Sequence, residues 1–300
     1  MQLPENFEQF KSVVLDKIKT YCDSNIWPFD YEDFSGWLHN FDVDLEEYIA
    51  LQLLDSLIVR SYDMAKASYS RLLFGSLRQY LIDHTTLPIG SIQQWKKHLK
   101  SGSLKNQVRF APVRLLEDQG ESGGAIYRLM SSDIDTDGYS FSKSQLQPEL
   151  LILVDDFIGS GSQFENFAKE FDLSDKLSKF KVIYCPLMAF SDGIQKISVE
   201  YPSLVVLAGE YIDETDSLFR GAGDQPFRND PINTVADVRA YLEVMKDKYA
   251  PNMTNWFGFE SASLPVLFEW GCPNQTPSIL YMNYSRRKVN WNKLFNRRAL

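Results

Sequence analysis

Apolar side chains return every three or four positions at the start of this chain. Phe7, Phe10, Val13, Val14, Ile18 and Tyr21 form one stripe and predict an amphipathic helix over 4–24. The stretch from Asn25 to Pro28 interrupts it, and Phe34, Trp37, Leu38 and Phe41 mark a second helix over 31–40. Asp42 or Asp44 is placed to cap a third helix over 45–60, and a fourth follows over 65–82. Residues 1–100 are therefore expected to form an all-helical region, with Trp27, Trp37 and Phe41 as packing anchors.

Beyond Pro88 the period changes. Residues 107–113 read as a short strand, followed by a loop and a helix over 125–130, and the polar stretch 132–148 reads as surface loop. Leu150-Leu151-Ile152-Leu153-Val154 is a continuous apolar run, as in a strand buried on both faces of a parallel sheet. A helix over 163–171, a strand over 181–187, a helix over 192–200 and a strand over 204–208 come next. A helix over 234–248 and a last strand over 264–270 complete the alternation. Residues 101–300 are thus expected to form an α/β core, a parallel sheet with helices on both faces.

Composition narrows the setting. The 300 residues are 44% hydrophobic and 24% charged, an ordinary globular balance. No run of about 18 apolar residues offers a membrane span. Residues 1–9 carry acids and lack the apolar stretch of a secretory signal. Cys22, Cys185 and Cys272 are odd in number and far apart, which suits neither disulfides nor a zinc site. Buried thiols in a reducing cytoplasm are expected.

Charge is unevenly spread. Residues 1–63 hold 13 Asp and Glu against four Lys and Arg, whereas Arg286, Arg287, Lys288, Lys293, Arg297 and Arg298 stand in a tail without acids. That tail is expected to dock on an acidic surface, either the N-terminal helices of the same chain or those of a neighbour in an oligomer. The alternative is nucleic acid, gripped by the charges of residues 286–298 with Trp291 or Phe295 stacked on a base.

The chemistry concentrates after the central apolar run, where Asp155-Asp156-Phe157-Ile158 leads into Gly159-Ser160-Gly161-Ser162-Gln163 and a helix. Ligands of open α/β sheets bind at the carboxyl ends of strands. Small residues let successive N–H groups point into one concavity, and the helix that follows adds the positive end of its dipole. Two carboxylates repel phosphate, but they suit vicinal hydroxyls or a magnesium ion held with the ligand. A sugar that carries both hydroxyls and a phosphate satisfies both halves. A second glycine-rich turn, Gly120-Glu121-Ser122-Gly123-Gly124, precedes Arg128 and offers another anion nest. Pro273-Asn274-Gln275-Thr276-Pro277 follows the last strand and presents amides and the Thr276 hydroxyl.

Four apolar residues, two acids, two intervening residues and a Ser/Gly loop resemble the phosphoribosyl pyrophosphate motif of type I phosphoribosyltransferases. The resemblance implies that Asp155 and Asp156 face the ribose hydroxyls, that residues 159–163 wrap the 5-phosphate, and that Ser122, Gly123 and Gly124 hold the pyrophosphate. Gln163 departs from the family's Thr or Ser, and Ser162 from its Gly, so one hydroxyl ligand is lost. With the Pro273–Pro277 turn and Trp37-Leu38-His39-Asn40-Phe41, the chain is similar to phosphoribosyltransferase-like proteins found beside reverse transcriptases in bacterial anti-phage systems. Gln275 replaces the usual Asn of that group.

This likeness implies a type I phosphoribosyltransferase-like core preceded by a helical region, with magnesium as cofactor and a defence-system protein as partner. Three readings of function follow: a phosphoribosyltransferase, an inactive ribose-phosphate sensor, and a nucleic-acid-associated module. His39, His84 and His98 lack metal-ligand spacing, and the acids Glu210, Asp213, Glu214 and Asp216 are expected to be mostly solvated.

Overall fold

The structure is a computed structural model and describes residues 1–114, 122–141, 148–220, 227, 230, 232–287 and 290–297. It divides into two compact units, Met1–Ser61 with Asp213–Arg298, and Tyr62–Ile212. The expected boundary at residue 100 therefore does not coincide with the division. Residues 62–101 fold with the main sheet, and the chain after Ile212 returns to the N-terminal helices.

In the first unit, α1 (Phe7–Asp23), α2 (Tyr31–Leu38) and α3 (Asp44–Asp55) follow the predicted stripes. Asn25 turns the chain after α1 with φ at 53°. Val43 occupies the cap of α3, and Asp44 stands in the first turn, where its charge meets the helix dipole. The third helix stops short because Ile58–Arg60 forms a strand, β1, so residues 1–100 are not wholly helical. Branched side chains at Ile58 and Val59 favour that geometry.

A long helix, α11 (Val235–Tyr249), is capped by Thr234. The last strand, β7 (Val266–Phe268), is shorter than expected and pairs in parallel with β1, from Ile58 on Val266 to Arg60 on Phe268. It therefore belongs to a two-stranded sheet rather than to the main one. Trp37, Phe34, Leu51 and Leu54 fill the core of this unit, and Trp291, Leu294 and Phe295 of the basic tail join them.

In the second unit, α4 (Tyr62–Arg71), a π-helical turn at Leu72–Leu77 and α5 (Arg78–His84) replace the single helix expected there. α6 (Ile92–Ser101) lies within the stretch expected to be helical, though no separate helix is marked there by the apolar period. The sheet order is β2 (Val108–Pro112), β3 (Leu150–Ile158), β4 (Lys181–Phe190) and β5 (Val205–Val206), all parallel, with β6 (Glu210–Ile212) also on β4. Between the strands run α7 (Ser122–Met130), α8 (Ser162–Glu170), α9 (Leu173–Lys179) and α10 (Ser191–Glu200). Phe164, Phe167, Leu173 and Ile197 cover Leu151, Leu153, Val182 and Tyr184 on one face of the sheet. Tyr69 of α4 donates its hydroxyl to the Cys185 carbonyl at 2.7 Å. Among the described residues no helix is long and apolar enough to cross a membrane. All three cysteines are buried and free.

Candidate functional site

β3 runs further than its apolar core. It continues through both acids, with Asp155 opposite Pro186, Phe157 opposite Met188 and Ile158 opposite Ala189. Asp155 and Asp156 thus sit inside the strand, not after it, because Phe157 and Ile158 still find a partner in an equally extended β4. Both side chains are buried, at 3% and 0% exposure. Asp155 accepts the Tyr184 hydroxyl on Oδ2 at 2.7 Å and the Asp156 N–H on Oδ1 at 2.9 Å. Burial first, and Asp155 second, push the Tyr184 phenol well above its ordinary range, so it stays neutral and donates. Its ring stacks on Phe164 with centroids 4.4 Å apart.

The chain then turns on small residues. Gly161 sits at φ +82°, where a side chain is disfavoured, and α8 begins at the next residue. Ser160 Oγ accepts the Ser162 N–H at 3.4 Å, and its hydroxyl reaches Ser162 Oγ at 3.2 Å. Gln163 is the second residue of α8.

Two residues of α10 complete the surroundings, and neither was foreseen. A Cβ on Gly193 would stand 2.2 Å from the Gly159 carbonyl oxygen, so only glycine lets α10 approach the turn. Lys196 Nζ lies 3.4 Å from Ser162 Oγ and 2.9 Å from Glu165 Oε1. The one signal in the sequence was a glycine inside a helix, which costs about 1 kcal/mol relative to alanine and invites a packing reason.

Of the second turn, Gly120 and Glu121 lie outside the described residues. Ser122, Gly123 and Gly124 open α7 instead of forming a loop before it, and a helix opening of this kind also leaves N–H groups unpaired. β2 lies parallel beside β3, so the carboxyl ends of both strands lie at the same edge of the sheet. Arg128 is exposed on α7, whereas Arg109 is buried and donates to the Gly138 carbonyl at 2.8 Å.

Asn274 and Thr276 belong to the other unit. The Thr276 hydroxyl is buried and donates to the Val266 carbonyl at 2.7 Å, and Asn274 Oδ1 accepts from Arg297 at 2.9 Å. Asp213 caps a short 3-10 turn over Glu214–Asp216 through a capping box. Among the described residues, no three His, Cys, Asp or Glu side chains gather in a group able to hold a metal. Asp155 and Asp156 alone supply too few oxygens for the near-octahedral shell of a resident magnesium ion, most of which a ligand or water would have to complete.

A family model described as PRTase-CE matches residues 34–297 of this chain. The chain belongs to the PRTase-CE family. Its parallel α/β sheet, preceded by a helical stretch, is the phosphoribosyltransferase-like architecture. The match takes in Asp155, Asp156, the turn at 159–163 and Pro273 to Pro277, so these PRTase-CE positions lie within the family region. Among solved structures, the AQ2163 protein from Aquifex aeolicus is similar at 13% identity, over 62% of this chain and 95% of that one, with a TM-score of 0.33. No curated protein matches.

Proposed function

We propose that the sheet unit binds phosphoribosyl pyrophosphate or a related ribose phosphate, with magnesium carried in by the ligand's phosphates. The observation that carries this reading is the turn at Gly159 to Gly161, with Gly161 at φ +82°, which joins an acid-bearing strand end to the N-terminus of α8. The first N–H groups of α8 and the positive end of its dipole suit a 5-phosphate. Asp155 and Asp156 suit the ribose hydroxyls, provided a ribose O–H takes the place that the Tyr184 hydroxyl holds on Asp155. As a transferase, the site would stabilise a leaving pyrophosphate at the Ser122–Gly124 helix opening while the ribose C1 becomes electron-poor.

A second reading, a ribose-phosphate sensor without turnover, is favoured by the burial of both acids. Titration calorimetry with phosphoribosyl pyrophosphate and magnesium tests the common core. Wild-type protein is expected to bind, and the double variant Asp155→Asn/Asp156→Asn to lose most of the affinity; equal binding by the variant would remove the acids from the site. Pyrophosphate release separates enzyme from sensor. A role as effector in a bacterial defence system, beside a reverse transcriptase, extends the proposal and is tested by co-purification of the two proteins.

A further inference from the structure

We propose that Lys196 is a further ligand-binding residue of this site: its ammonium, presented by α10 above the first residue of α8, binds the ligand's phosphate and selects phosphorylated over unphosphorylated ribose. The inference rests on the reading that the turn at 159–162 receives a phosphate.

The packing delivers the lysine there. Gly193 lets the α10 backbone touch the turn, since any Cβ at that position would stand 2.2 Å from the Gly159 carbonyl oxygen and 2.6 Å from Ile158 Cγ2. Residues three apart on a helix share a face, so the side chain that follows Gly193 on that face is Lys196. Its Nζ lies 3.4 Å from Ser162 Oγ, at the opening of α8.

The charge balance of the turn explains what the lysine adds. Small residues and a helix opening supply neutral donors and only a partial positive charge of roughly half a unit. A phosphate monoester carries close to two negative charges near neutral pH. Arg109, on the neighbouring strand, is committed to the Gly138 carbonyl. Lys196 therefore provides a whole charge within reach of the turn.

Lys196 pairs at present with Glu165, whose Oε1 lies 2.9 Å from its Nζ. The lysine side chain is 44% exposed and the glutamate side chain 17%, so the ammonium is still reached by solvent while the carboxylate is largely covered. An arriving phosphate competes with the Glu165 carboxylate for the same ammonium. A role in ligand binding and a role as a clamp between α8 and α10 thus make opposite predictions for the two partners of the pair.

Calorimetry on the full chain distinguishes them, using ribose 5-phosphate and ribose as probes. Wild-type protein is expected to prefer ribose 5-phosphate. Lys196→Ala should weaken ribose 5-phosphate about tenfold, in line with one lost charge-assisted hydrogen bond, and leave ribose unchanged. Lys196→Arg should retain most of the affinity. Glu165→Gln should tighten ribose 5-phosphate about twofold to threefold by releasing the ammonium.

If Lys196→Ala remains folded by circular dichroism and binds like wild type, the lysine has no such role although the site stands. Weakening by Glu165→Gln equal to that by Lys196→Ala would show a structural clamp and overturn the inference. Failure of wild-type protein to bind either ribose 5-phosphate or phosphoribosyl pyrophosphate would overturn the site and this inference together.

Discussion

Two glycines from different elements decide whether the turn after β3 can exist. Gly161 takes a left-handed conformation, and a Cβ there would meet the Gly193 carbonyl oxygen at 3.3 Å. Gly193 faces the other way, with its would-be Cβ 2.2 Å from the Gly159 oxygen. Gly193→Ala is expected to force α10 away from the turn, destabilising the protein by about 1–3 kcal/mol and weakening ribose-phosphate binding. A thermal melt and a titration both at wild-type values would contradict this packing. Tyr184→Phe removes a donor from a buried carboxylate and should cost about 1–3 kcal/mol in a denaturant melt. At this scale the sequence was legible where the chain is continuous: acids, small residues and helix follow one another from 155 to 163. Gly193 and Lys196 were not, because they reach the turn from a helix beyond the next strand, and only packing brings them there.

Among the elements, strand ends were the hardest to place. Aspartate is a poor strand former, so the apolar run suggested an end at Val154, yet pairing with β4 carries β3 to Ile158. β1 has three residues, too few for a period to show, and it exists because β7 lies beside it. The extent of α11 was plain by contrast, since the helix expected over 234–248 forms over Val235–Tyr249, and the structure adds its cap, Thr234 with Asp237 three residues on. The Thr234 hydroxyl donates to Asp237 Oδ2 at 2.7 Å and accepts the Asp237 N–H at 3.2 Å. The Thr234 side-chain and backbone hydrogen bonds hold the Asp237 carboxyl below its usual range. A group with a depressed pKa contributes stability above its unfolded value and loses it as pH falls through the folded one. Thr234→Ala should therefore cost about 1 kcal/mol at neutral pH, from the lost cap. The penalty should shrink in acid; urea melts at both pH values that gave the same difference would discount the carboxylate's part.

At the scale of the whole chain, the acidic head and basic tail suggested attraction between charges, and the tail does dock on the N-terminal helices of its own chain. The means differ from the expectation. Trp291, Leu294 and Phe295 are buried, and Phe295 packs its ring 5.7 Å from Phe34 and 5.2 Å from Phe29. Asn40 and Asn292 exchange two hydrogen bonds, the Asn40 amide to the Asn292 carbonyl at 2.8 Å and the Asn292 N–H to Asn40 Oδ1 at 2.9 Å. Arg286 and Arg287 stay exposed, while Lys288 and Arg298 lie outside the described residues. Charge counts show that a segment is unusual, but its apolar residues decide where it rests, because burying a large aromatic ring contributes more than an exposed ion pair. Removing residues 286–300 should lower the melting temperature, and Trp291→Ala alone, which empties a buried ring site, should cost about 3–5 kcal/mol. Both losses should persist in high salt, since apolar and amide contacts are not screened. A loss that disappears as salt rises would restore the electrostatic account, and a deletion that leaves melting untouched while abolishing nucleic-acid binding would make the exposed arginines the purpose of the tail.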